Sequence, residues 1–503
     1  MTDKTAIQRG ERLVSTGVCL GLLLLFGLAG SEGEVRSQDA AKVVLKKESF
    51  DKDPGWDGHN NHVKVEKPVK VVQDFGYSKT NHAGGKATGE IGGRIQRSTT
   101  SAFYGKKLDK PMTLDSKLRC SGSFVLTQSG GTSSMYFGWF NTKTPSSRPY
   151  NWMGFCFSGE KTGCCVNVGY RTAGGLADGP GRVTGYGPGW YQKPKVRDIH
   201  LIPVDTRYTF DFVYDPEGGD GNGEITFTLG GKGPYTGGPF TFKLPPSHRK
   251  SGATFDAFGI INAQAAGGPL TAYFDDLVID GKAESFDGDP EWVGQGNRQK
   301  HDDFGINGSH QFGYSDTALA GGKKGELGGL LYSSPSTPGY YGDKVGRLTL
   351  DNKLTASGKV ALTQYGSDSG VYIGWFDSRK RGHPPANILG VLIEGATSSS
   401  PRFKASVASS DPKAAHRLGK TALLIAPDGK SHTWKIEYQP DADDGRGRMT
   451  VWLDDQKDTF VLPPEVRKSG ATFDRFGLFV HEGGGTASRS YLDDLEYLSL
   501  IHI

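Results

Sequence analysis

A series of short motifs occurs twice, in the same order, along this chain. ESFDKDPGW at 48–56 returns as ESFDGDPEW at 284–292, FGYS at 75–78 returns at 312–315, and GWF at 138–140 returns at 374–376. KSGATFD at 250–256 returns at 468–474, and YFDDL at 273–277 returns as YLDDL at 491–495. A chain of 503 residues that repeats itself this way divides into two homologous units, each long enough to bury its own core. YFDDLVID closes the first copy and ESFDGDP opens the second within a few residues, which places the expected boundary at 281/282. The expected division is 1–30, 31–42 as a linker, 43–281 as the first unit and 282–503 as the second. The first unit is the longer because of a Gly/Pro/Tyr-rich run, AGGLADGPGRVTGYGPGWYQKP at 173–194, which reads as a long surface loop.

Within each unit apolar and polar residues alternate with period two. KLRCSGSFVLTQ (117–128) and SMYFGWFN (134–141) are separated by a Ser/Gly turn and read as an antiparallel hairpin. TRYTFDFVYD, GEITFTLGG and FTFKLPP follow as further strands. Glycine (74 residues) and aromatics (11%) fit short strands and tight turns better than helices, and no helical period is visible after the N-terminus. Strands with one apolar face need a second sheet to cover them. The expected fold class is all-β: two tandem antiparallel β-sandwiches.

Lys4, Arg9 and Arg12 precede an uncharged apolar run at 13–30, the pattern of a secretory signal segment. Left uncleaved, the run would anchor the chain at a membrane. The expected location is secreted, periplasmic or at the cell surface. Basic and acidic residues nearly balance, 59 against 55, and form no stripe, so no nucleic-acid partner is expected. Export permits disulfides. Cys156 is placed to face Cys164 or Cys165 across the hairpin GFCFSGEKTGCCV, with Cys120 elsewhere in the same unit, and the second unit has no cysteine.

The strand Y-T-F-x-x-x-Y-D, an acidic Gly turn, G-x-I-T-F-x-L and a closing Y-F/L-D-D-L strand resemble the concanavalin A-like lectin/glucanase (LamG-like) jelly-roll superfamily, and they do so twice. The resemblance implies two jelly rolls, each with a concave sheet face that receives a glycan. It also implies structural calcium, held by acidic residues of the closing and opening strands. The candidates are Asp275 or Asp276 with Asp51 in the first unit, and Asp493 or Asp494 with Asp287 in the second. Hydrolases of this fold present E-x-D-x-E on a strand, a string this chain lacks.

The residues themselves name further candidates. In MYFGWFN, Met135, Phe137 and Trp139 share one face, expected to be core; Tyr136, Gly138 and Phe140 share the other, expected to line the concave face and stack on sugar. Tyr372 and Phe376 are their counterparts, with Asn141 and Asp377 at the strand ends to bond sugar hydroxyls. Glu90 and Glu326 sit in a G-E-I/L-G-G context, each either a turn cap or a ligand-facing carboxylate. His82, Glu90 and Arg94 would supply a base, a carboxyl and an anion clamp if the first unit were a lyase or hydrolase. The expectation is an exported tandem carbohydrate-binding protein recognising a polysaccharide or glycoconjugate, with that enzyme or a protein-binding adhesion module as alternatives.

Overall fold

The structure, a computed structural model, describes residues 42–86, 88–183, 200–366, 368–380, 385–396, 400–411, 413–414, 416–481, 483 and 485–501. The signal segment and most of the linker lie outside the described residues, as does the second half of the Gly/Pro/Tyr-rich run. None of the described helices is long and apolar enough to cross a membrane. Strands dominate, arranged as two sandwiches of two antiparallel sheets each.

The first sandwich pairs a nine-stranded sheet with a seven-stranded one. The nine-stranded sheet runs Gly237–Lys243, Glu224–Gly231, Arg207–Asp215, Leu118–Ser129, Pro269–Ile279, Glu90–Gln96, Val69–Ser78 and Arg298–Asp303, with Lys282–Glu284 flanking Pro269–Ile279. The seven-stranded sheet runs Ala177–Arg182, Gly163–Arg171, Trp152–Glu160, Ser133–Phe140, Thr254–Asn262, Phe103–Thr113 and Val293–Gln295. The second sandwich repeats this plan with a nine-stranded and an eight-stranded sheet.

The expected core set is core. Met135, Phe137 and Trp139 are fully buried, as are Val371, Ile373 and Trp375. Phe137 stacks on Phe274 of the facing sheet, with ring centroids 4.1 Å apart, and Phe124, Phe155, Phe157 and Phe210 surround them. Each such ring pair adds about 0.5–1.5 kcal/mol beyond its buried area. In the second core Val360, Ile373, Val391 and Ile393 occupy the places of Phe124, Phe137, Phe155 and Phe157.

Two expectations are corrected. Leu118–Ser129 and Ser133–Phe140 are consecutive but lie in opposite sheets, so the turn between them crosses the sandwich and closes no hairpin. Each already has both edges taken: the first by Arg207–Asp215 and Pro269–Ile279, the second by Trp152–Glu160 and Thr254–Asn262. The meander from Arg207 to Lys243 is as expected.

The second correction concerns the boundary at 281/282, which hydrogen bonds cross in both directions. Lys282–Glu284, Val293–Gln295 and Arg298–Asp303 pair with strands of the first sandwich. Lys42–Glu48, Asp57–His59 and His62–Val63 pair with strands of the second. Phe286 (3% exposed) and Trp292 accordingly sit in the first core, while Phe50 (0% exposed) sits in the second with Trp56 against it. Asn297 donates from Nδ2 to the Phe75 carbonyl at 2.6 Å, and Asn61 donates likewise to Phe312 at 2.8 Å. Each opening segment completes the unit that precedes it, and the last unit is completed by the first segment of the chain.

Truncating a buried Phe to Ala costs about 3–5 kcal/mol. Phe50→Ala is expected to lower amide protection in strands 310–501 and leave 69–279 unchanged, with Phe286→Ala doing the reverse. Hydrogen exchange resolved by peptide checks this, and loss of protection in 69–279 from Phe50→Ala would contradict the pairing.

Candidate functional site

Glu90 and Glu326 are fully buried, and each holds a loop by accepting its N–H groups. Glu90 accepts from His82 N at 2.9 Å, Ala83 N at 2.8 Å and Thr80 Oγ1 at 2.5 Å. Glu326 accepts from Leu319 N at 3.0 Å and Ala320 N at 2.7 Å. Both are turn caps, with no oxygen turned to a ligand. The His82 ring does not bond Glu90; it stacks on Tyr273 at 4.4 Å. Arg94 reaches Gln128 at 3.5 Å. His82, Glu90 and Arg94 therefore do not converge as base, carboxyl and clamp.

The Asp-Asp pairs anchor the same loops. Asp276 and Asp494 adopt φ of 51° and 49°, a left-handed bulge that aspartate tolerates. The bulge turns Asp275 and Asp493 inward and Asp276 and Asp494 outward to Arg207 and Lys359, at 3.1 and 2.7 Å. A Cβ on Gly85 would collide with Asp275 Oδ2, and one on Gly321 with Asp493 Oδ2, so glycine lets each loop close on its carboxylate. Burial, with Asp276 and Glu90 as further negative charge, pushes the Asp275 carboxyl up to about 6. Burial and the Asp494 and Glu326 charges do the same to Asp493.

These donors do not fit calcium, which takes six to eight oxygens. Because the opening segments are exchanged, Asp51 lies with the second sandwich and Asp287 with the first, opposite to the expected grouping. Both are exposed, and Asp51 accepts from Ser49 Oγ at 2.9 Å. Among the described residues no group of three or more His, Cys, Asp and Glu side chains is placed to hold a metal ion.

The concave faces are built on rows of glycine. Gly105, Gly259, Gly138, Gly154 and Gly169 are successive cross-strand partners, forming a band without side chains across five strands of the seven-stranded sheet. Gly342, Gly477, Gly374 and Gly390 form the same band in the second sandwich, which ends on Ser406. A Cβ at Gly154 would meet the Phe137 carbonyl, so the sheet cannot accept a side chain there. Rings lie across the bands: the edge of Phe140 reaches Gly105, and that of Phe376 reaches Gly342.

The aromatic candidates are consequently covered. Phe140 is 0%, Phe376 3% and Tyr372 1% exposed, packed among Phe103, Trp152 and Ile261 in one sandwich and Ile388, Leu392 and Phe479 in the other. Asn141 spends its side chain on Thr254 O and Lys143 N, and Asp377 pairs with Arg379. Of the expected ligand contacts, Tyr136 lines the larger cavity and Asn141 lines one of about 280 Å3 beside Tyr150 and Asp428.

The Tyr136 cavity is a cleft of about 630 Å3 at the Gly169 end of the first band. Tyr136 and Trp152 wall it, with ring centroids 5.0 Å apart and edge to face. Cys156, Ser158, Glu160, Cys165, Asn167 and Arg171 rise from the two strands of its floor, and Arg148 and Asp178 stand at its margins. Asn167 Nδ2 bonds Ser158 Oγ at 2.9 Å. Arg171, 2% exposed, is held by Tyr150 Oη at 3.0 Å and the Arg148 carbonyl at 2.8 Å. Arg148 is exposed and makes no side-chain hydrogen bond or ion pair among the described residues.

Where the first sandwich has Cys156 beside Asn167, the second has Leu392 beside Lys404, and Ile388 and Ala408 stand where Trp152 and Arg171 do. On the second face, among the described residues, a gap of about 10 Å3 lies beside Tyr340 and Phe376. The four described cysteines form no disulfide, and Cys156 faces Asn167, not a thiol. Burial pushes the Cys156 thiol up to about 11 and raises Tyr136 as well. Both stay protonated at neutral pH, as hydrogen-bonding wall groups and not as nucleophiles.

Sequence spacing revealed Tyr136 but not Trp152, Asn167 or Arg171. Their signal was the difference between the copies, since Trp152, Asn167 and Arg171 of the first unit answer Ile388, Lys404 and Ala408 in the second.

No family model matches the chain, and no curated protein matches it. Among solved structures, the mouse laminin α1 chain domains LG4-5 match at 12% identity over 87% of this chain and 94% of that one, with a TM-score of 0.22. The Emp47p carbohydrate recognition domain matches at 15% identity over 35% and 84%, TM-score 0.24. A Lotus tetragonolobus seed lectin matches at 15% identity over 38% and 93%, TM-score 0.20. Overlaps this loose carry no argument about a ligand.

The raised carboxyls of Asp275 and Asp493 set a pH dependence. A folded-state value above the unfolded one means the fold prefers the neutral group. The stabilisation is complete below the ordinary aspartate value of 3.8 and is lost as pH rises through about 6. The melting temperature is expected to fall between pH 4 and pH 7, and to fall less in the Asp275→Asn/Asp493→Asn variant. An equal fall in both would contradict the assignment.

Proposed function

We propose that this chain is an exported glycan-binding protein whose site is the concave cleft of the first sandwich. The observation that carries the reading is the cleft where the glycine band ends at Gly169, walled by Trp152 and Tyr136 and edged by Asn167, Ser158, Glu160, Arg148 and Arg171. A sugar ring is flat enough to lie on bare backbone, apolar enough on one face to meet aromatic rings, and ringed by hydroxyls that need donors and acceptors at its rim. The cleft supplies all three. Burial holds its tyrosine and thiol protonated, so the set favours binding over bond cleavage.

The expected pair of sites gives way to one. Tyr372, Phe376, Asp377 and Glu326 are buried in packing or in loop anchoring, which makes the second sandwich a partner in structure. The N-terminal apolar run supports export.

The test is a glycan array probed with the full chain, followed by calorimetry on the best oligosaccharide. Arg148→Ala and Asn167→Ala are expected to weaken binding at least tenfold, about 1.4 kcal/mol, at unchanged melting temperature. Lys404→Ala, at the matching place in the second sandwich, is expected to leave affinity as it was. An array without signal, or affinity indifferent to Arg148 and Asn167, would overturn the proposal.

A further inference from the structure

The two opening segments are nearly the same sequence, and each closes a sandwich in the same way. Phe50 and Phe286 enter the cores, Trp56 and Trp292 pack beside them, and Asn61 and Asn297 bond a backbone carbonyl of the strand they cover. Their attachment differs. Segment 282–303 follows directly on the strand Pro269–Ile279 that it pairs with, and ends in a six-residue strand, Arg298–Asp303. Asp303, 3% exposed, fastens that end by accepting from Ser98 Oγ, Thr99 N and Thr99 Oγ1 at 2.6–2.7 Å.

Segment 42–63 ends instead in a two-residue pairing, His62–Val63 against His310 and Gln311, and Lys67 stands where the second copy has Asp303. It reaches its sandwich across the whole intervening unit. The two connectors cross at the surface, where Lys64 Nζ lies 4.5 Å from the Phe304 ring centre and Asn307 Nδ2 donates to the Lys67 carbonyl at 2.8 Å. Segment 42–63 is held to its sandwich by non-covalent pairing alone, so it can leave as a unit about the connector at 64–68. An identical segment from another molecule meets the same groove with the same register.

We propose that residues 42–63 form an exchangeable strap, and that a second copy of this chain supplies its own strap to the groove beside strand Ala487–Ile501, giving a reciprocally closed dimer. The groove is specific for this occupant. Seven residue pairs run from Lys42↔Ile501 to Glu48↔Leu495, and the Phe50 ring fills the adjoining core site. Opening releases the pairings of Lys42–Glu48, Asp57–His59 and His62–Val63 and withdraws Phe50, with the connector at 64–68 straightening, and the first sandwich keeps its own closing segment throughout. Association therefore rises with protein concentration and leaves the glycan cleft untouched.

The test uses the full chain carrying Leu45→Cys and Leu498→Cys, whose positions face each other directly in the register. The protein is unfolded, refolded over a hundredfold range of concentration and oxidised, with the parent and each single variant as controls for the native thiols. A strap closed within its own molecule gives a cross-linked monomer on a non-reducing gel, and a strap received from another gives a covalent dimer. The expected result is monomer at the dilute end and severalfold more dimer at the concentrated end. Adding Phe50→Ala is expected to reduce both products. Monomer alone at every concentration would overturn the exchange, and no cross-link of either kind would overturn the seat on which it rests.

Discussion

Everything in this structure rests on the insertion of one phenylalanine into the end of each sandwich, from a segment that the order of the motifs assigns to the other unit. Phe286 and Trp292 complete the core that carries the cleft, and Phe50 and Trp56 complete its partner. Burying a side chain of this size contributes about 1.5–3 kcal/mol, a sizeable part of the few kcal/mol by which a domain is stable. Neither sandwich is closed by its own contiguous repeat as the sequence is written. The pair is linked twice, by covalent connection and by strand exchange.

The outward faces of the seven- and eight-stranded sheets share one backbone pattern and carry two chemistries. The glycine band is common to both, because the sheet leaves no room for a Cβ at positions such as Gly154. In the second sandwich Leu392 and Ile388 seal the far end of the band with hydrocarbon. In the first, Asn167 and Arg171 keep it open and polar, and the 630 Å3 cleft results. The cores diverge as well, with phenylalanines in the first replaced by Val360, Ile373, Val391 and Ile393 in the second. Large aromatic side chains can be exchanged for aliphatic ones when total volume is kept.

Much of the fold was legible in the chain. Period-two alternation identified the strands, and the parity of Met135, Phe137 and Trp139 identified the core face. Three things were not legible, each for a physical reason. ESFDKDPGW and ESFDGDPEW present the same side chains, so either could close either sandwich, and only chain path decides. The turn at 130–132 is short enough for a hairpin, yet the edges of both flanking strands are taken by partners far away in sequence. Glu90 and the Asp-Asp pairs have the residue types of a binding site, but the loop at 80–83 spends the Glu90 oxygens on its own donors, and the outer aspartates pair with Arg207 and Lys359. The cleft was half visible: Tyr136 was chosen for its face, while its neighbours could be found only by asking where the two copies disagree.

The central claim is a single glycan site on bare backbone in the first sandwich. A crystal structure of the chain soaked with the oligosaccharide that binds it best would test this most directly. The account predicts sugar density over Gly169, within hydrogen-bond reach of Asn167 and Arg148, and none on the matching face of the second sandwich. Sugar bound on the second sandwich, or on the outer surface of either nine-stranded sheet with the cleft empty, would contradict it.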